Sequence, residues 1–177
     1  ILRNIAELDQ LVDEILLASR LDAREADVGT VELVDLIGLA AEECARVDAE
    51  LDVTAVPEGL EVRGVAKLLR RALRNLLENA RRYSQGDITV VLQRHDGQAQ
   101  LSVLDRGPGV PPALRERIFE PFYRLPGASE RAGGVGLGLA LVRSIAQRHN
   151  GSVRCEDQPD GSGGACFVLR LPLALTK

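Results

Sequence analysis

Residues 132–142 read "AGGVGLGLALV". Four glycines, Gly133, Gly134, Gly136 and Gly138, crowd into six positions, and an apolar helical pattern follows at once. Glycine lets main chain approach a ligand closely, and the free N–H groups of a helix start favour an anion, most often phosphate. Spacing excludes two common phosphate motifs. A dinucleotide fingerprint needs a third glycine three positions after Gly136, where Leu139 stands. A P-loop needs a lysine, and the lysines of this chain are Lys67 and Lys177. The stretch takes its meaning from the rest of the chain.

Working outward, Leu137–His149 reads as a helix stopped by Asn150-Gly151. Two strands follow, "SVRCED" and "ACFVLRLP", joined by "QPDGSGG". Upstream, residues 106–133 form a long loop rich in glycine, proline and charge, with one short helix at "PALRERIF". A loop of that length in a compact domain is a working loop. Before it, "DITVVLQRHDGQAQLSVLD" is a hairpin: Ile88, Val90 and Leu92 alternate, Asp96-Gly97 turns, and Leu101 and Val103 return. Val65, Leu68, Leu69, Ala72, Leu73, Leu76, Leu77 and Ala80 give the strongest helical stripe, over residues 65–83. "LDVTAV" reads as a strand closed by Pro57, and "TVELVDLIGLAAEECARVDAE" as a short strand with a helix over residues 34–49. Ile1, Ile5, Leu8, Val12 and Ile15 step by four and three, an a/d seam on a helix ending near residues 19–23. Three heptads are marginal alone, so this helix should pair with another. The expected fold is α+β: a two-layer sandwich, its sheet mixed and largely antiparallel with helices on one face, preceded by one long helix.

A length of 177 residues suits one domain with an appendage. A hydrophobic share of 45% against 27% charged is that of a soluble globular chain. There is no methionine, so Ile1 is not a natural start and the chain reads as a piece of a longer protein. No apolar run reaches about 18 residues and no signal peptide is evident; the longer protein has room for both upstream. The net charge of −4 argues against nucleic acid. Arg70, Arg71, Arg74, Arg81 and Arg82 cluster on one segment, either as a solvated face or as an attraction for polyphosphate or an acidic partner. Cys44, Cys155 and Cys166 lack metal spacing. Alternation puts Cys166 on the face opposite Phe167, Leu169 and Leu171, so all three are expected as reduced thiols of a cytosolic domain.

Four stretches carry candidate chemistry. On "RRALRNLLENARRYS", Asn75, Asn79 and Arg82 fall within an arc of about 60° beside the leucine stripe. Asparagine is a poor helix former, so two of them one turn apart are either boundary residues or a site wall whose amide oxygens suit Mg²⁺. In "LSVLDRGPGV", Asp105 ends a strand before Gly107 and Gly109. A carboxylate there can accept from an exocyclic amine while the glycines admit a flat ring, or the motif is only a turn. In "IFEPFYR", Phe119, Phe122 and Tyr123 are three of five aromatics, either anchoring a moving segment or forming a satellite cluster. The fourth is the opening stretch.

In this order the four are specific. The chain resembles the catalytic, ATP-binding domain of bacterial sensor histidine kinases. "NLLENARRY" looks like the N box, "DRGPG" the first glycine box, "FEPFYR" the F box and "GGVGLGL" the second glycine box. The resemblance covers residues 30–173, and residues 1–23 resemble the second helix of the dimerisation and phosphotransfer hairpin. It implies a helix over 1–23, a linker at 24–29 and a catalytic domain over 30–177. It implies ATP and Mg²⁺ as cofactors, with Asn79 on the metal and Asn75 supporting the metal-phosphate site. Arg82 and Tyr83 would face the nucleotide, though the family often has lysine at the position of Arg82. Asp105 would read the adenine amino group beside Gly107 and Gly109. Gly134, Gly136, Leu137 and Gly138 would surround the phosphates. Residues 124–133 would be a lid that orders on nucleotide, with Arg124 and Arg131 approaching the γ-phosphate. The implied partners are an acceptor-histidine helix, a response regulator and a second copy in the full-length protein. The implied place is the cytoplasmic side of a membrane-anchored sensor.

Two further readings stay open. ATP-hydrolysing proteins of this fold, such as chaperone and topoisomerase clamps, carry a glutamate where Asn75 stands. An amide cannot take up water's proton, but Glu78 is close by. A non-catalytic, nucleotide-regulated binding module is the other. The histidines are His95, in a turn, and His149, at a helix C-terminus where a positive charge would suit the dipole. Neither suits the role of phosphate acceptor.

Overall fold

The computed structural model describes residues 2–22, 29–84, 86–123, 137–158, 160–161 and 163–174. The order is α1 (Leu2–Asp22), β1 (Glu32–Asp35), α2 (Leu36–Arg46), β2 (Glu50–Asp52), β3 (Glu61–Gly64), α3 (Ala66–Tyr83), β4 (Thr89–His95), β5 (Gln98–Leu104), α4 (Gly138–Arg148), β6 (Ser152–Asp157) and β7 (Ala165–Pro172). Five strands form one sheet in the order β2-β4-β5-β7-β6, parallel at β2–β4 and antiparallel elsewhere; β1 and β3 pair separately. This is the α+β sandwich expected.

Period decides which side is buried. Val90, Leu92, Ala99, Leu101, Val103, Phe167, Leu169 and Leu171 share one sheet face and are all buried. Against them lies the α3 stripe of Leu68, Leu69, Ala72, Leu73, Leu76, Leu77 and Ala80, also buried. Burying each such leucine contributes about 1.5–3 kcal/mol, so the α3–sheet interface outweighs every polar contact described below. α4 adds Leu141, Val142, Ile145 and Ala146 to the same core. Asp35 caps α2 by accepting the Ile37 N–H at 3.0 Å. Asp96 and Gly97, both at positive φ, close the β4–β5 turn.

α1 runs against α4, with Leu17 on the core and Glu14 buried. The seam is left outside: Ile5, Leu8, Val12 and Ile15 are 44–59% exposed.

Three elements differ from the pattern read in the sequence. β3 was not anticipated: in "EVRG" only Val62 carries the apolar side of the alternation. The strand at "LDVTAV" stops at Asp52, whose Oδ1 accepts from both the main-chain N–H and the hydroxyl of Thr54 and bends the chain into a turn. "PALRERIF" is not an α-helix but two 3-10 turns, Pro112–Leu114 and Arg117–Phe119.

The arginine segment is largely spent inside the fold. Glu43, 2% exposed on α2, receives Arg74 through Nε at 2.8 Å and Arg70 through Nη1 at 3.0 Å. The hydrogen bond from Arg74 holds the Glu43 carboxyl below its ordinary range against the cost of burial. Arg81 donates to the carbonyls of Val47 and Gly86. These bonds tie α2 to the outer side of α3.

All three thiols are free and buried, and Cys166 pairs with Glu156 while Cys155 pairs with Phe167, on opposite faces. Burial pushes Cys155 up to about 12 and the other two to about 11, so all three stay protonated and unreactive.

His149 departs from the expected dipole role. It does cap α4, but its ring is neutral: Nδ1 donates to Ile145 O at 2.8 Å and Nε2 accepts the Val65 N–H at 3.1 Å. Val65 opens α3 without a side-chain cap, so a residue 84 positions away does the capping. Gly64 makes room, since a Cβ there would stand 2.6 Å from the ring. Burial lowers the His149 pKa. A lowered folded-state value means the unfolded chain binds the extra proton more readily, so stability falls as pH drops below about 6.5. His149→Gln should lose part of that acid sensitivity. Denaturant titrations of both proteins at pH 7.5 and 5.5 measure it; equal losses in the two would show that His149 contributes none.

Candidate functional site

α3 is the wall to which the candidate residues attach. Asn75 is buried on it at 5% exposure and donates from Nδ2 to the carbonyl of Gly138 at 3.2 Å, joining the middle of α3 to the first residue of α4. Asn79 and Tyr83, half-buried, and Arg82, exposed, continue along the helix. At its end Ser84 is buried, and its hydroxyl accepts the N–H groups of Gly86 and Arg106 at 3.2 and 3.1 Å. Gly107 packs so closely on the Tyr83 carbonyl that a Cβ would collide with it. One helix therefore touches both the start of α4 and the stretch after β5.

That stretch is built around Asp105, buried at 3% exposure. Its Oδ1 accepts the N–H of Gly107 at 2.9 Å and of Ala165 at 3.0 Å. Gly109, at φ +77°, lies against Gly164, which is itself at φ +78° and pressed on the Asp105 carbonyl. Arg115 reaches back to Val110 O at 3.2 Å and pairs with Asp157, holding the following loop to β6.

α4 starts without a side-chain cap, and Leu137, buried before it, gives its carbonyl to Leu141. Its first N–H groups thus suit a phosphate. Phe119 turns inward, edge-on to Phe167 with centroids 6.2 Å apart, and Tyr123 is half-buried on the core. Phe122 is 64% exposed at φ +66°, so the three aromatics do not act as one cluster. Glu78 lines a small hollow with Glu43, Arg46 and Arg74, on the α2 side of α3. Arg124, Arg131, Gly134 and Gly136, with the expected lid at 124–133, lie outside the described residues.

Sequence reading missed Gln158, Ser84 and Gly164. The first two act on main-chain groups distant in sequence, which no local pattern records; the pair Gly163-Gly164 before an apolar strand was the one available signal.

The family described as "Histidine kinase-, DNA gyrase B-, and HSP90-like ATPase" matches residues 64–175. The sensor-like histidine kinase SenX3 of Mycolicibacterium smegmatis is 36% identical over 180 residues, covering 95% of this chain and 46% of the relative. The solved structure of the mycobacterial sensor histidine kinase MprB superposes with a TM-score of 0.70 at 32% identity, covering 83% of this chain and 100% of that one. The ATP binding domain of PrrB from Mycobacterium tuberculosis superposes with a TM-score of 0.64 at 30% identity, covering 82% and 98%. The chain spans less than half the length of the curated relatives it matches. The fold agrees with these likenesses: the chain belongs to the histidine kinase-, DNA gyrase B- and HSP90-like ATPase family, and carries its ATP-binding catalytic domain in the form found in sensor histidine kinases.

Proposed function

We propose that this chain binds ATP with Mg²⁺ and passes the γ-phosphate to a histidine on a helix outside the sequence, for relay to a response regulator. The observation that carries the reading is the double attachment of α3, through Asn75 to the start of α4 and through Ser84 and Tyr83 to the Asp105 loop. An adenine against Asp105, Gly107 and Gly109 would then have its phosphates near Leu137 and Gly138, with Gly134 and Gly136 from the preceding loop.

Among the described residues no group of three or more His, Cys, Asp or Glu can hold a metal. The donor set still fits Mg²⁺, which takes one or two protein oxygens and completes its shell with phosphate and water. The Asn79 amide oxygen is the assigned ligand, with Asn75 fixing the helix edge and Arg82 and Tyr83 beside it. Mg²⁺ would supply charge neutralisation on the phosphates. Arg124 and Arg131 are assigned to the γ-phosphate.

Transfer to histidine, not water, is supported by where the carboxylates lie. Asn75 cannot act as a base, and Glu78 lines the hollow shared with Glu43, Arg46 and Arg74 on the α2 side of α3. We assign 1–23 to the second helix of an acceptor hairpin, 24–29 to a linker and 30–177 to the catalytic domain. The exposed seam of Ile5, Leu8, Val12 and Ile15 supports that assignment, because it offers the missing helix and a second copy an apolar surface. Among the described residues no helix is long and apolar enough to cross a membrane; we place this part on the cytoplasmic side of an anchored sensor.

The test is incubation with γ-labelled ATP and Mg²⁺, with and without the preceding helix of the parent protein. Acid-labile, base-stable label should appear on the added helix and not on this chain alone. Label on the chain itself, or brisk phosphate release, overturns the reading.

A further inference from the structure

Asp105 replaces a rung of the sheet with its own side chain. The register Leu104↔Cys166 makes Asp105 and Ala165 the next pair along β5 and β7. A hydrogen-bonded antiparallel pair exchanges two main-chain bonds. Here the Asp105 N–H does donate to Ala165 O at 3.1 Å. The Ala165 N–H, however, goes to Asp105 Oδ1 at 3.0 Å instead of the Asp105 carbonyl. That displaced carbonyl is taken by Gln158: its Nε2 donates to Asp105 O at 2.6 Å and to Ala165 O at 3.3 Å. Gln158 is buried at 9% exposure and spends its amide donor on these two carbonyls.

Two arrangements of the pair therefore compete. In the ordinary ladder Ala165 N–H bonds to the Asp105 carbonyl and the carboxylate loses a bond that fixes it. In the observed one the carboxylate is a rung and its Oδ2 has a set direction. An unpaired buried carbonyl carries its full desolvation cost, which favours the ordinary ladder unless another donor serves the Asp105 oxygen. Gln158 is that donor.

We propose that Gln158 is a positioning residue for base recognition: by holding the Asp105 carbonyl out of the ladder, it keeps the Asp105 carboxylate aimed at the exocyclic amine of the nucleotide base. This rests on the assignment of Asp105 as the reader of that amine. Gln158 itself touches no nucleotide; it acts through Asp105.

The test pairs a substitution with removal of the amine. Gln158→Met keeps the length of the side chain and loses the donor. Affinities for ATP and for purine riboside triphosphate, which lacks the 6-amino group, are measured by calorimetry on the wild-type chain and the variant. ATP affinity should fall about tenfold in the variant, the size expected for one well-placed hydrogen bond. Affinity for the amine-free nucleotide should change less than about twofold, because it makes no use of the carboxylate. A merely structural role lowers both equally, and equal falls, or an unchanged ATP affinity, overturn the proposal. Should Gln158→Met not fold, Gln158→Leu, neutral and also without a donor, carries the same comparison. A wild-type chain that binds both nucleotides equally would instead refute the assignment of Asp105, which separates the two failures.

Discussion

Asp105→Asn removes most ATP binding and leaves the fold intact. The reason lies in how Oδ1 is used. It accepts two main-chain N–H groups, from Gly107 and Ala165, so the substituted amide must keep its oxygen at that position. Its NH₂ then occupies the place of Oδ2 and meets the amino group of the base donor to donor. An amide free to turn could offer its oxygen to the base; this one is held. A charge-assisted hydrogen bond is worth about 1.5–3 kcal/mol, so affinity should fall about 10- to 150-fold, with the opposed donors adding to the loss. Both Oδ1 bonds survive, so the melting temperature should change little. Calorimetric titration with ATP alongside a thermal melt checks both halves, and an unchanged affinity removes Asp105 from the site.

Gly164→Ala should damage the same place from outside. Gly164 sits at φ +78°, and a Cβ on it would overlap the Asp105 carbonyl. The backbone conformation alone costs about 1–3 kcal/mol for a residue with a side chain. The overlap forces the end of β5 away from the start of β7, which breaks the Gln158 and Ala165 bonds to Asp105. For a chain of this size each kcal/mol lowers the melting temperature by about 2–4 °C. A fall of roughly 5–10 °C with loss of ATP affinity is expected. Gly161→Ala is the matched control: Gly161 is at φ +70° with nothing within 4 Å of its notional Cβ. It carries the conformational cost without the overlap. Equal losses in the two variants would show that contact with Asp105 carries no part of the effect.

The long periodic elements were legible in the sequence because their burial is one-sided. The α3 leucines and the alternation of β4, β5 and β7 each point at one core, and the pattern survives whatever packs against it. β3 escaped because four residues with a single apolar side chain form no pattern; it exists through its partner β1. His149 was read from its local position, at a helix end where a cation is favoured. Its actual partner, the Val65 N–H, lies outside any local window and needs a neutral ring. The arginine segment was read as available charge because Glu43, some thirty residues earlier, gives no sign of turning toward it. At the site, Asp105, Gly107, Gly109, Asn75 and Gly138 were legible as residue types in order. What holds them in place was not, since Gln158, Ser84 and Arg115 bond to main-chain atoms or distant partners.

The two ends of α4 are pinned to the same neighbour. Asn75 holds its first residue to the middle of α3, and His149, just past its last turn, holds the first turn of α3. A rod fixed at two points against another can neither slide along it nor swing away. The N–H groups at the start of α4 are thus immobilised when the chain folds, before any ligand arrives. An anion docking there does not have to order the helix that receives it, and the entropy of fixing those donors is charged to folding and not to binding.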